Sequence, residues 1–228
     1  MSGDFATLKP LPFRPSGIIF DMDGLLFDSE ELYREVFFEL LEARGLDSAA
    51  AHFPGLVGLG WGETLDLLAQ WFPECDARSF VDDWKAACRP NRGRFPRLKH
   101  GVFELLALLE RERISAVIAT GSQREIAHAY LCHHGLGDRF LGVVAAEDCQ
   151  RGKPHPEPFL QAAKTLEAAP GDCVVLEDSP NGIRAAHAAG ALAIMVPDLV
   201  AADEEMIVLS HGVAADLLVV ASAIEAVA

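Results

Sequence analysis

Short apolar runs alternate with amphipathic segments along most of this chain. Between the runs, apolar residues recur at the three- and four-residue spacing of helices, as in GVFELLALLERER at 101–113. Because the runs lack the alternation of a half-exposed strand, they are typical of a parallel sheet covered on both faces. The pattern predicts an α/β fold, a doubly wound parallel sheet with a Rossmann-like core. The predicted strands are Gly17–Asp21, Ala116–Thr120, Gly142–Ala145, Cys173–Asp178 and Leu192–Val196.

One long interval contains no convincing strand. Residues 28–98 show only helical patterns, at Ser29–Arg44, Glu63–Phe72 and Ser79–Cys88. Ser29 is the expected N-cap of the first of these helices, because acidic residues follow it in the first turn. We therefore expect an all-helical cap at 28–98, inserted into a catalytic core formed by 15–27 and 99–228. Both ends of the insert lie near the exit of the first strand, where it could close as a lid.

Composition and charge narrow the class of protein. The chain has 228 residues, of which 50% are hydrophobic and 23% charged, so a folded core is expected. A net charge of −15 argues against a nucleic-acid partner. The N-terminal segment lacks the features of a signal peptide, and no apolar run reaches the ~18–20 residues of a membrane span. Five cysteines without a C-x-x-C pair favour a cytoplasmic location. We expect a monomer or a small homo-oligomer, with no membrane partner.

Polar residues gather where the predicted strands end. Asp21 and Asp23 come at the end of the first strand, 120–122 at the end of the second, Lys153 after the third, and 177–178 at the end of the fourth. Each has a plainer explanation by itself, such as an aspartate in a turn, a surface lysine or a helix N-cap. Because parallel strands present their carboxyl ends at one edge of a sheet, all four groups together favour a single site.

The chemistry of these residues points to a phosphoryl group. Four carboxylates that converge raise one another's pKa unless a positive charge lies between them. Mg²⁺ is a natural partner, since it binds through a few carboxylates together with a substrate phosphate. Lys153 adds a second positive centre, Thr120 offers a hydroxyl, and Gly121 lets a backbone N–H approach an oxyanion closely. A carboxylate can also serve as a nucleophile and form an aspartyl-phosphate.

The same residues resemble the motifs of a known family. In order and spacing they are similar to the four motifs of the haloacid-dehalogenase-like phosphohydrolases, and the helical insert looks like the family's cap. The segment LEDSPNGIRAAHAAG at 176–190 is similar to the subgroup that contains β-phosphoglucomutase and small sugar-phosphate phosphatases. The resemblance covers nearly the whole chain. The motif residues are Asp21-Met22-Asp23-Gly24, Thr120-Gly121-Ser122, Gly152-Lys153-Pro154 and Glu177-Asp178-Ser179.

The resemblance implies a role for each motif residue. Asp21 would be the nucleophile and a metal ligand, and Asp23 the general acid/base, with its backbone carbonyl on the metal. Asp178 would ligate Mg²⁺. Glu177 would either ligate the metal or orient a water that does. The residues implied to hold the phosphoryl oxygens are Thr120, Gly121, Ser122 and Lys153.

The implied activity is a Mg²⁺-dependent phosphatase that hydrolyses small phosphomonoesters, either sugar phosphates or nucleoside monophosphates. The family's dehalogenases lack a carboxylate at the position of Asp23, so its presence disfavours dehalogenation. A β-phosphoglucomutase-like sugar phosphomutase is the alternative, although Tyr33 and Trp61 stand where the mutases carry a histidine and an arginine. A non-catalytic protein that binds a phosphorylated ligand or a protein partner is the third reading. Trp61, in the cap, and Arg124, after the second motif, are candidate substrate contacts.

Overall fold

The computed structural model describes residues 8–46, 52–53, 55–56 and 61–228. The chain divides into two compact units. One comprises Met1–Phe27 with Leu98–Ala228, and the other comprises Asp28–Arg97. Within the described residues, no helix has both the length and the apolar character that crossing a bilayer requires.

The first unit is built on a six-stranded sheet in which all neighbouring strands are parallel. The order β3-β2-β1-β4-β5-β6 places β1 and β4 at the centre and confirms the doubly wound arrangement. The last strand, unlike the equally short β3, was not predicted, because Gly212-Val213 does not stand out from the sequence around it. The strands are β1 Gly17–Phe20, β2 Ser115–Ala119, β3 Val143–Val144, β4 Cys173–Glu177, β5 Leu192–Met195 and β6 Gly212–Val213.

The register of the central strands brings their carboxyl ends level. Phe20 of β1 pairs with Ile118 of β2 and with Leu176 of β4. The residues that come next in the three strands therefore lie side by side at one edge of the sheet. They are Asp21, Ala119 and Glu177.

The helices predicted at 29–44, 63–72, 79–88 and 101–113 are present, each to within about two residues at either end, as expected for helix boundaries. The expected N-cap was wrong: Asp28 holds the N-cap position of α1, and Ser29 is the buried first residue of the helix. The helices of the described residues are α1 Ser29–Ala43, α2 Trp61–Trp71, α3 Ala77–Ala87, α4 Val102–Arg111, α5 Arg124–His133, α6 Glu157–Thr165, α7 Pro180–Ala189, α8 Glu204–Leu209 and α9 Leu217–Glu225.

Helices cover the sheet. On one face, Ile19, Val117 and Val175 of the central strands share an apolar core with Phe159 of α6 and Ile183 of α7. Elsewhere α4 packs against α9 and also contacts β2. Because β1 and β4 are buried along their whole length, the polar residues at their carboxyl ends stand on a rigid support.

The second unit is held together by aromatic packing between α1, α2 and α3. The ring of Phe37 lies 4.8 Å from that of Trp84 and 5.5 Å from that of Phe80. The indole N–H of Trp84 donates to the backbone carbonyl of Tyr33 at 2.9 Å. Phe37 of α1 is therefore a core residue of this unit.

Candidate functional site

A tight turn after β1 positions the first two carboxylates. The N–H of Gly24 donates to the carbonyl of Phe27 at 2.8 Å, and the N–H of Leu26 donates to the carbonyl of Met22 at 3.0 Å. Gly24 has a φ of +82°, which favours glycine. A Cβ at this position would also lie 2.2 Å from Oδ2 of Asp178. Glycine is thus required twice here, for the conformation of the turn and for the approach of Asp178.

Lys153 is the positive centre of the site. Its Nζ donates to Oδ1 of Asp21, to Oε1 of Glu177 and to the carbonyl oxygen of Ala119, the last at 3.0 Å. Its side chain is only 12% exposed. Burial lowers the pKa of Lys153, but the charges of Asp21 and Glu177 outweigh it and raise the pKa above the usual range. The lysine is therefore a fixed cation.

Glu177 is fully buried at the end of β4. Its Oε1 accepts from Lys153, and its Oε2 accepts from the N–H groups of Asp178 and Ser179 at 3.1 Å and from the hydroxyl of Ser179 at 3.0 Å. The same hydroxyl accepts from the N–H of Gly182 and caps α7. Four donors therefore occupy the carboxylate, which suits a positioning role better than direct ligation.

Asp21, Glu177 and Asp178 form the one group of three potential metal ligands found in the described part of the chain. Each offers a carboxylate oxygen, and these oxygens lie within 4.8 Å of one another. Burial raises the pKa of Asp21 to about 8, against the lowering effect of Lys153. Burial also raises the pKa of Asp178 well above its usual range, and the charge of Asp21 adds to this. Together these oxygen donors can carry more negative charge than the single ammonium of Lys153 balances. Such a set of ligands fits a hard divalent cation.

Asp23 faces a different set of groups. Its Oδ2 accepts from the hydroxyl of Ser122 at 2.6 Å and from that of Thr120 at 3.4 Å. The N–H of Ser122 donates in turn to Oγ1 of Thr120 at 2.9 Å. The N-cap position of α5 belongs to Gln123. Both hydroxyls thus bind Asp23, and that of Thr120 also accepts from the backbone of Ser122; neither caps the helix.

The remaining site residues have simpler surroundings. A Cβ at Gly121 would meet no protein atom within 4 Å. The guanidinium of Arg124 donates to Asp148 and, at 3.1 Å, to the carbonyl of Val143. Trp61 begins α2 and packs edge-on against Trp84, with ring centroids 5.3 Å apart. Substrate contact by Arg124 and Trp61 stays a prediction.

Asp198 and Lys99 were not predicted from the sequence. Oδ1 of Asp198 accepts from Nζ of Lys99 at 2.5 Å. Asp198 comes shortly after β5, so the rule that singled out the ends of the other strands would have found it too. Lys99 follows no predicted strand, and no pattern in the sequence marks it.

Comparison with known proteins connects this geometry with an enzyme family. A family model of haloacid dehalogenase-like hydrolases matches residues 15–190. Fructose-1-phosphate phosphatase YqaB from Escherichia coli (strain K12) is 34% identical over 188 residues, which cover 80% of this chain and 97% of the relative. Hexitol phosphatase B from Escherichia coli O157:H7 is 32% identical over 210 residues, which cover 85% of this chain and 88% of the relative.

A solved structure shares the fold. The β-phosphoglucomutase of Clostridium difficile aligns with a TM-score of 0.66, covering 93% of this chain and 98% of the mutase. At 21% identity this likeness concerns the fold alone.

Proposed function

This chain belongs to the haloacid dehalogenase-like hydrolase family, and on that premise we propose that it is a Mg²⁺-dependent phosphatase of small phosphomonoesters. One observation carries the proposal: Asp21, Glu177 and Asp178 converge at the carboxyl edge of the sheet, where the buried ammonium of Lys153 binds the first two. A carboxylate nucleophile, a fixed cation and oxygen donors for a metal are the parts that phosphoryl transfer requires.

The first step is transfer of the phosphoryl group to Asp21. A carboxylate oxygen of Asp21 attacks phosphorus, and the bond from phosphorus to the ester oxygen breaks. Asp23 gives its proton to the departing alkoxide, which leaves as an alcohol. In the second step Asp23 takes a proton from water, whose oxygen attacks phosphorus, and the bond to Asp21 breaks. Phosphate is released and both carboxyl groups return to their starting state.

The neighbouring residues support both steps. The hydroxyls of Ser122 and Thr120 hold the side chain of Asp23, which fixes the group that moves the proton. Lys153 donates to Asp21 and thereby favours its ionised, nucleophilic form. Mg²⁺, when bound, supplies positive charge that stabilises the carboxylates and the phosphoryl oxygens. Asp21 and Asp178 would hold it with their side chains and Asp23 with its backbone carbonyl, while Glu177 acts by positioning Lys153 and the backbone of Asp178.

Sugar phosphates are the favoured substrate class, because the relatives named above are a fructose-1-phosphate phosphatase and a hexitol phosphatase. Nucleoside monophosphates are the second class. The assignment of residues 28–98 as a cap and the cytoplasmic location remain predictions. A sugar phosphomutase is less well supported, because its likeness to this chain is one of fold. Conversion of β-glucose 1-phosphate to glucose 6-phosphate without release of phosphate would favour the mutase.

The proposed activity should depend on a divalent cation. We expect the protein to hydrolyse p-nitrophenyl phosphate with Mg²⁺ and to lose nearly all turnover in excess EDTA, with recovery when Mg²⁺ is restored. The physical reason is that the carboxylates repel each other and the substrate without the cation. Equal rates in Mg²⁺ and in EDTA would contradict the proposal. A screen of phosphate release over sugar phosphates and nucleotides then ranks the substrates.

Gly121→Ala separates substrate binding from stability. The added methyl group meets no protein atom within 4 Å, so we expect an unchanged melting temperature. If the N–H of Gly121 approaches a phosphoryl oxygen, the methyl group should crowd the substrate and lower kcat/KM by about 10-fold or more. Steady-state kinetics together with thermal denaturation measure both effects. Gly137→Ala, where an added Cβ also meets nothing within 4 Å, is the matched control. If Gly121→Ala keeps the wild-type kcat/KM, Gly121 does not contact the phosphoryl group.

A further inference from the structure

Asp198 and Lys99 form a partly buried ion pair that the proposed reaction does not use. Nζ of Lys99 lies 2.5 Å from Oδ1 of Asp198, and the side chain of Asp198 is only 10% exposed. The N–H of Lys99 donates to the carbonyl of Leu26 at 2.9 Å. That contact anchors the lysine on the turn that carries Asp23 and Gly24.

The second oxygen of Asp198 is unpaired. Oδ2 is buried, and no hydrogen-bond partner for it exists among the described residues. Burying a carboxylate oxygen without a hydrogen-bond partner costs free energy, so its presence in a folded protein calls for an explanation.

The position of this oxygen supplies the reason. A Cβ built on Gly24 would lie 3.4 Å from Oδ2 of Asp198 and 2.2 Å from Oδ2 of Asp178. The two carboxylates therefore face the same small space above the turn. Because Lys99 holds the other oxygen of Asp198, the unpaired oxygen remains directed towards Asp178, which lies in the acidic group described above.

We propose that Asp198, fixed by Lys99, is a positioning residue of the cation site that acts by repelling Asp178. This inference rests on the proposed function. Two like charges that face each other destabilise the protein without the cation, and a divalent cation on Asp178 relieves that repulsion. Asp198 thus increases the affinity for the cation without ligating it. A purely structural ion pair would stabilise the fold and leave cation affinity unchanged.

Two substitutions should change Mg²⁺ affinity in opposite directions. In Asp198→Asn the amide oxygen still accepts from Lys99, while the amide nitrogen faces Asp178 as a donor. We expect the dissociation constant for Mg²⁺ to rise about 10-fold and the melting temperature in EDTA to rise. Lys99→Met leaves the charge of Asp198 unbalanced. We expect it to tighten Mg²⁺ binding by roughly 3-fold and to lower the melting temperature in EDTA.

Calorimetric titration of the full-length protein with MgCl₂, and thermal denaturation with and without Mg²⁺, measure these effects independently of turnover. Glu205→Gln and Arg184→Met break a more exposed ion pair and change charge by the same amounts, so they should leave Mg²⁺ affinity unchanged. Wild-type affinity in both Asp198→Asn and Lys99→Met, or shifts in the same direction, would overturn the inference. Absence of Mg²⁺ binding by the wild-type protein would overturn the proposed function as well.

Discussion

Asp21→Asn should abolish phosphate release, with kcat lowered by at least about 10⁴-fold, while the protein stays folded. The amide oxygen can still accept from Lys153, but an amide does not attack phosphorus as a carboxylate does. The fold should tolerate the change, because burial raises the pKa of Asp21 to about 8 and so disfavours its charged form. We therefore expect a melting temperature in EDTA equal to that of the wild type or above it.

Asp23→Asn is the matched comparison, because it replaces a carboxyl group by an amide in the same turn. With p-nitrophenyl phosphate the leaving phenolate needs little protonation, so phosphoryl transfer to Asp21 should continue. Hydrolysis of the phosphoenzyme needs a base and should slow by ~10²–10⁴-fold. Mass spectrometry after an acid quench should then detect phosphorylated protein in Asp23→Asn and none in Asp21→Asn. Phosphoenzyme in Asp21→Asn would move the nucleophile to another residue.

Gly182→Ala should be the most damaging single change outside the carboxylates. An added Cβ would lie 1.8 Å from Cδ of Glu177 and 1.9 Å from its Oε1. Glu177 is fully buried and hydrogen-bonded at both oxygens, so its carboxylate can move only by leaving its partners. Moving the carboxylate of Glu177 away from Lys153 would leave both buried charges without a partner. We expect a loss of about 3–5 kcal/mol in the free energy of unfolding, measured by urea denaturation, and loss of activity.

Gly62→Ala is the control for this substitution. Gly62 also lies in a helix, but a Cβ there would meet nothing within 4 Å. Alanine should stabilise that helix by roughly 0.5–1 kcal/mol. A double-mutant cycle with Glu177→Ala then tests the cause, because removing the carboxylate should make Gly182→Ala nearly harmless. Additive losses in the cycle would show that the glycine serves another purpose.

The sequence predicted the parallel sheet and the convergence of polar residues at its carboxyl edge, for a clear physical reason. Uninterrupted apolar strands are typical of a parallel sheet, and parallel strands bring their carboxyl ends to one edge. Asp21 and Glu177 could therefore be placed together without coordinates. The register of β1 against β4 then makes them direct neighbours.

The sequence did not predict how the side chains of the site are oriented. Whether Glu177 ligates a metal or positions other groups depends on the donors around it. Ser179 and Lys153 saturate its carboxylate, and spacing along the chain does not reveal that arrangement. The partnership of Lys99 with Asp198 joins residues that are 99 positions apart and has no local signature.

The contacts of Lys153 tie the assembly of the sheet to its chemistry. Its single ammonium group binds the residue after β1, the last carbonyl of β2 and the last side chain of β4. This group thus links three adjacent strands at the edge of the sheet where the carboxylates of Asp21 and Glu177 repel each other. Substitutions at this lysine will therefore report on folding and on turnover together, and neither can be read from activity alone. A change of substrate specificity in this protein must therefore preserve the contacts of Lys153 and alter the residues around them.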